Sequence, residues 1–122
     1  MQTTTNKLVV LVTKGIDSEM SSVAFTIANG GLTAGLEVSM FLTSQAIDLV
    51  RKGGQQMTHV PPLEPLAQQI DEFQKRGGVI WACPPCVKAR GYAQDDLLDG
   101  VVVVGASAMH AKIKDGAATL SF

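Results

Sequence analysis

The sequence predicts an α/β fold, with three layers (α/β/α) around a five-stranded, mostly parallel sheet. Three observations carry this. Strand-like apolar runs alternate with helix-like segments along the 122 residues, the order that places crossover helices between parallel strands. The first run, KLVVLVT at 7–13, is almost unbroken, as suits a strand covered on both faces. No internal repeat, linker or low-complexity tract interrupts the pattern, so residues 1–122 read as a single domain of ordinary size.

Each element follows from its residues. After the first strand, Asp17 or Ser18 is placed to cap a helix, and Met20, Val23, Ala24, Ile27, Ala28 and Gly31 then fall on one stripe at helical spacing. Gly30-Gly31 weakens that helix and calls for close packing or an early end. EVSMFL at 37–42 reads as the second strand. Ser44 is placed to cap a short helix carrying Ile47, Leu49 and Val50, which stops at Gly53-Gly54. QQMTHVPP at 55–62 reads as a loop, extended by its prolines. Leu63, Leu66, Ala67, Ile70 and Phe73 form the next helical stripe, ending in Lys75, Arg76 and two glycines. VIWAC at 79–83 is the third strand, followed by a helix opening at Pro84 or Pro85 and reaching Arg90. VVVV at 101–104 is the fourth strand, 105–116 a turn and short helix, and ATLSF at 118–122 the last strand.

Composition excludes several classes of function. A chain 46% hydrophobic and 17% charged folds compactly rather than staying disordered. A net charge of −1, with Lys and Arg scattered, offers no basic face to a nucleic acid. The segment MQTTTNK carries one cation, and the apolar run behind it is too short for a leader or a membrane span. The chain therefore reads as soluble and cytoplasmic, without a membrane role.

The chemistry concentrates in WACPPCVKARG at 81–91, which holds both cysteines of the chain, Cys83 and Cys86. Two thiols three residues apart cannot staple distant parts of a fold, so this is a thiol site rather than a disulfide scaffold. In an open parallel sheet, reacting groups gather beyond the carboxyl ends of the strands. Cys83 ends a strand there and precedes a helix, whose first N–H groups favour an anion such as a thiolate. Lys88 and Arg90 stand within the next two turns and add positive field. Cys86, one turn later, is a resolving or auxiliary thiol or a packed one. Lys14, which follows the first strand, is placed to draw an anionic substrate, and His59 and His110 to approach the same edge and tune the thiol, although a solvated loop lysine and surface or partly buried histidines are the simpler readings. A structural zinc would need two more ligands with paired spacing, and the two histidines do not supply it, so no metal is expected. TKGIDSEMSS lacks the glycines of a phosphate loop and its lysine stands on the wrong side, so no nucleotide or flavin cofactor is expected either. Trp81, alternating with Ile80, reads as core.

Three functions remain open on these residues: a persulfide-carrying sulfurtransferase, a dithiol–disulfide oxidoreductase using both cysteines, and a non-catalytic oligomeric module whose cysteines pack. C-P-P-C resembles the thioredoxin motif locally, but three strands precede it and no proline follows Pro85. VIWACPPCVKARGY, preceded by a helix ending Lys-Arg-Gly-Gly and followed by Asp95-Asp96-Leu97-Leu98-Asp99-Gly100-VVVVGA, resembles the DsrE/DsrF-like (DsrEFH-like) family of small sulfur carriers. The opening KLVVLVTKG and closing ATLSF extend the resemblance over nearly the whole chain. It implies the α/β fold already read, assembly into homotrimers or homohexamers, and sulfur held as a persulfide on Cys83. It also implies sulfur-carrier partners of TusA-like or rhodanese type.

Overall fold

The computed structural model describes residues 5–122; most of MQTTTNK, read above for leader features, lies outside them. The strands are β1 (Lys7–Val12), β2 (Glu37–Leu42), β3 (Val79–Ala82), β4 (Val102–Val103) and β5 (Ala118–Ser121). The helices are α1 (Glu19–Thr33), α2 (Leu66–Lys75), α3 (Pro84–Ala89) and α4 (Ala106–Lys114), with 3-10 segments at Ser44–Leu49, Gly54–Met57 and Gln94–Asp96. The strands form one sheet in the order β4-β3-β2-β1-β5, and every neighbouring pair is parallel.

Connection direction fixes the layers. From β1 to β4 the chain steps one strand at a time in the same direction, so right-handed crossovers put α1, α2 and α3 on one face. From β4 it jumps back across the sheet to β5, which puts α4 on the other face. The burial pattern agrees. Leu8, Val10, Val12, Met40, Leu42, Ile80 and Ala82 join Phe25, Phe73 and Val87 from the helices in the main core. Val9, Phe41 and Trp81 are buried on the opposite side, so Trp81 is core, as its alternation predicts.

The α1–α2 packing is locked by an edge-to-face Phe25–Phe73 pair, ring centroids 6.0 Å apart, a geometry worth about 1 kcal/mol beyond burial. Ser18 caps α1, its Oγ accepting from the Met20 N–H at 3.2 Å. The helix runs through Gly30-Gly31 instead of ending there. A Cβ on Gly31 would lie 3.0 Å from Val38 Cγ2 and 3.1 Å from Leu8 Cδ2, whereas one on Gly30 would meet nothing. Close approach of helix to sheet is thus the reason for one glycine of the pair only.

Three elements differ from expectation. The segment after β2 is 3-10 rather than α-helical, and Ser44 is not its cap: Thr43 holds that position, while Ser44 takes a left-handed φ of +54°. The helix expected from Leu63 begins at Leu66, because Pro65 in extended conformation stops it starting earlier. The valine run at 101–104 gives only a two-residue strand, paired to Trp81 and Ala82, the last two residues of β3. No residue of α4 is buried; ion pairs from Lys7 Nζ to Asp115 Oδ2 (2.9 Å) and from Lys112 Nζ to Glu37 Oε1 (2.5 Å) tie it to the sheet's amino edge. No helix among the described residues is long and apolar enough to cross a membrane.

Candidate functional site

Cys83 sits where the strand ladder ends and helical bonding begins. Its N–H donates to the Leu42 carbonyl at 3.0 Å, the last rung between β3 and β2. Its carbonyl accepts from the Val87 N–H at 3.0 Å, the first bond of α3. Buried Val87 anchors α3 in the main core. The loop leaving β3 leads to α3 on one face, while the loop leaving β4 leads to α4 on the other. The loops leaving these two neighbouring strands thus diverge to opposite faces beyond their carboxyl ends, the position at which open α/β sheets collect their reacting groups.

Both thiols are free and half-buried, packed against the main core. The expectation that the helix start makes Cys83 an acidic thiol does not hold. Its pKa is raised above the ordinary thiol value, chiefly by burial; the Cys86 backbone N–H lowers it, and the neighbouring Cys86 thiol raises it again. The reason lies in the motif. Pro84 and Pro85 occupy the first two helical positions and carry no N–H, so the first turn offers little to offset desolvation. A backbone donor from outside the motif meets the second thiol instead: the Ser44 N–H donates to Cys86 Sγ at 3.2 Å.

The predicted accessory residues divide. Arg90 is near the thiols but engaged by the protein: Nη1 donates to the Cys86 carbonyl at 3.3 Å, and Nε lies 3.9 Å from Asp48 Oδ1. Lys14, His59 and His110 are exposed, and their side chains make no hydrogen bond or ion pair among the described residues. Lys14 follows β1, two strand spacings or about 10 Å across the sheet from β3. The loop carrying His59 is tied to the same end by Thr58 Oγ1 donating to the Ile16 carbonyl at 2.7 Å. His110 stands on α4, over the opposite face. The fold thus groups Arg90 with the cysteines and leaves the other three apart from them.

Four residues escaped the sequence reading. Besides Ser44, Tyr92 donates to Asp48 Oδ1 at 2.6 Å, and the Arg51 guanidinium lies 5.4 Å from the Tyr92 ring centroid. Together with Arg90 they clamp the end of α3 to the Ser44–Leu49 segment. Pairings across more than forty residues leave no periodicity to read. Among the described residues, no three of His, Cys, Asp and Glu gather as a metal site would require.

A parallel α/β sheet with two free thiols at the carboxyl end of an inner strand defines a small thiol-bearing α/β protein. Within that class, the chain belongs to the DsrE/DsrF-like family, whose sequence model matches residues 6–122. It is 36% identical over 83 residues to an uncharacterized protein of Methanopyrus kandleri, a match spanning 68% of this chain and 65% of that protein. It is 28% identical over 117 residues to an uncharacterized protein of Methanocaldococcus jannaschii, spanning 95% and 99% of the two. Among solved structures, a protein of unknown function from Methanobacterium thermoautotrophicum superposes with a TM-score of 0.74 at 20% identity, over 95% of this chain and 98% of that one. The ychN protein of E. coli gives 0.76 at 19% identity, over 98% and 100%. These two likenesses establish the shared fold.

Proposed function

We propose that this chain is a sulfur-trafficking protein: Cys83 accepts a sulfane sulfur, holds it as a persulfide and passes it to the thiol of a partner. The observation that carries this reading is the pair of free, half-buried thiols at the carboxyl end of β3, in a chain of a sulfur-related family. A nucleophilic cysteine in a sheltered position is all that persulfide transfer requires. Cys83, fixed between the last rung of the sheet and the first bond of α3, presents its sulfur in one place. Arg90 stands beside the thiols, bonded to the Cys86 carbonyl, where its charge would meet an anionic donor; Lys14, His59 and His110 stand apart and would meet only an approaching protein. The partners of this reading are sulfur carriers of TusA-like or rhodanese type, the working form is a cytoplasmic homotrimer or homohexamer, and residues 1–122 act as one domain without a cofactor.

The test is to expose the reduced protein to inorganic polysulfide, desalt it and weigh it. A sulfur adduct of about +32 Da forms on the Cys86→Ser variant and not on Cys83→Ser. No adduct on Cys86→Ser overturns the reading. A second reading, dithiol–disulfide exchange, draws on the one-turn spacing of the two free thiols; it requires reduction of a protein disulfide such as insulin's, lost in Cys86→Ser.

A further inference from the structure

The placement of Cys86 gives the site a second step. Cys86 follows Cys83 by one helical turn, a spacing within the reach of a disulfide. Both thiols pack against the same core, and the Ser44 N–H donates to Cys86 Sγ at 3.2 Å. Ser44 is the one non-glycine residue among those described that adopts a positive φ. Such a backbone costs on the order of 1–3 kcal/mol and persists only where its surroundings impose it; here it turns an N–H toward the sulfur.

We infer that Cys86, positioned by the Ser44 N–H, resolves a persulfide on Cys83 and releases its outer sulfur as hydrogen sulfide. The step rests on the persulfide reading above. Cys86, having lost its proton to solvent, attacks Cys83 Sγ, the inner sulfur of the persulfide. The Sγ–Sγ bond forms, and the bond from Cys83 Sγ to the outer sulfur breaks, its electron pair departing on that sulfur as HS⁻. The sulfane sulfur is reduced, the two cysteines are oxidised to a disulfide, and an external low-molecular-weight thiol or dithiol returns the pair to the reduced state. Attack falls on the inner sulfur because that atom belongs to the residue one helical turn before Cys86. The Ser44 N–H aligns the attacking sulfur and shields its charge before attack. A sulfur that no partner collects therefore leaves as sulfide instead of remaining on the protein.

The experiment loads the full chain with inorganic polysulfide, desalts it, and follows intact mass and free sulfide together without reductant. On the wild type the adduct of about +32 Da gives way to a species about 2 Da lighter than the reduced protein, with one sulfide per chain. Cys86→Ser keeps its adduct. Ser44→Val, whose branched side chain opposes the left-handed backbone, slows sulfide release about tenfold with loading unchanged. Ser44→Gly, which keeps both the N–H and the conformation, retains release; this separates positioning from a general loss of fold. An adduct equally long-lived on wild type and Cys86→Ser overturns the release step and leaves the carrier reading standing. Equal rates in Ser44→Val and wild type overturn the role of Ser44. No adduct on Cys86→Ser overturns the carrier reading, and the release step with it.

Discussion

The Tyr92 hydroxyl donates to Asp48 Oδ1 at 2.6 Å, joining the residue just beyond α3 to the 3-10 segment that carries Ser44. The same carboxylate faces Arg90 Nε at 3.9 Å, and Arg90 in turn reaches the Cys86 carbonyl. The cysteine helix is therefore held at its far end by a charge-assisted bond. Tyr92→Phe removes it and should cost about 1–2 kcal/mol in urea unfolding. Asp48 also holds the Tyr92 phenol above its ordinary pKa, through that hydrogen bond first and then burial. A raised value means stability that is present below about pH 10 and lost as pH rises through the folded-state value. The phenolate absorbance of Tyr92, the sole tyrosine, should thus rise later in folded than in unfolded protein.

Cys83 follows the same sign. Its thiol is held above the ordinary value, chiefly by burial, so alkylation by iodoacetamide should reach half its limiting rate above about pH 8.5 in the native chain. Unfolding should lower that midpoint. Cys86→Ala should lower it only in part, since burial remains. Peptide-resolved mass spectrometry across pH 7–11 reads this, and a native midpoint at or below the unfolded one contradicts it.

Gly30 and Gly31 should respond to alanine with opposite signs. At Gly30 a Cβ meets open space, so Gly30→Ala should stabilise by about 0.5–1 kcal/mol through helix propensity. At Gly31 it presses on Val38 and Leu8, both buried strand residues. Overpacking there costs about 1–3 kcal/mol and outweighs the propensity gain. Thermal unfolding of the two variants checks the pair.

The layers of the fold were legible because hydrophobic period and glycine punctuation are local signals. The runs at 7–13, 37–42 and 79–83 each gave a strand to within a residue, and Cys83 stood at the sheet edge where its position predicts. What the sequence concealed was set by tertiary contacts. The valine run pairs only at Val102 and Val103, against the last two residues of β3, a limit its composition does not show. The thiol's acidity depends on burial, a tertiary property, more than on the helix start; the donors missing at Pro84 and Pro85 were legible. Ser44 looked like an ordinary cap, and its turned backbone is tied to a sulfur forty-two residues away.

The two faces of the sheet are secured by different forces. One is sealed by α1 and α2 over a dry core, indifferent to ionic strength. The other buries Val9, Phe41 and Trp81 but carries α4, in which no residue is buried and which Lys7–Asp115 and Lys112–Glu37 tie at its end. Their partners hold the Asp115 and Glu37 carboxyls below the usual range. That stabilisation is present above about pH 4 and disappears as pH falls through the depressed values, and salt screens it at any pH. Amide protection, taken against the intrinsic rate at each pH, should accordingly be lower in α4 and the adjoining β5 than in the other strands, and lower still in acid or high salt, with β1 to β3 unaffected. The molecule is in this sense hinged like a book with one glued cover: the side that opens first is the one away from α1 and α2, and the Cys83–Cys86 pair remains bound into the spine when it does.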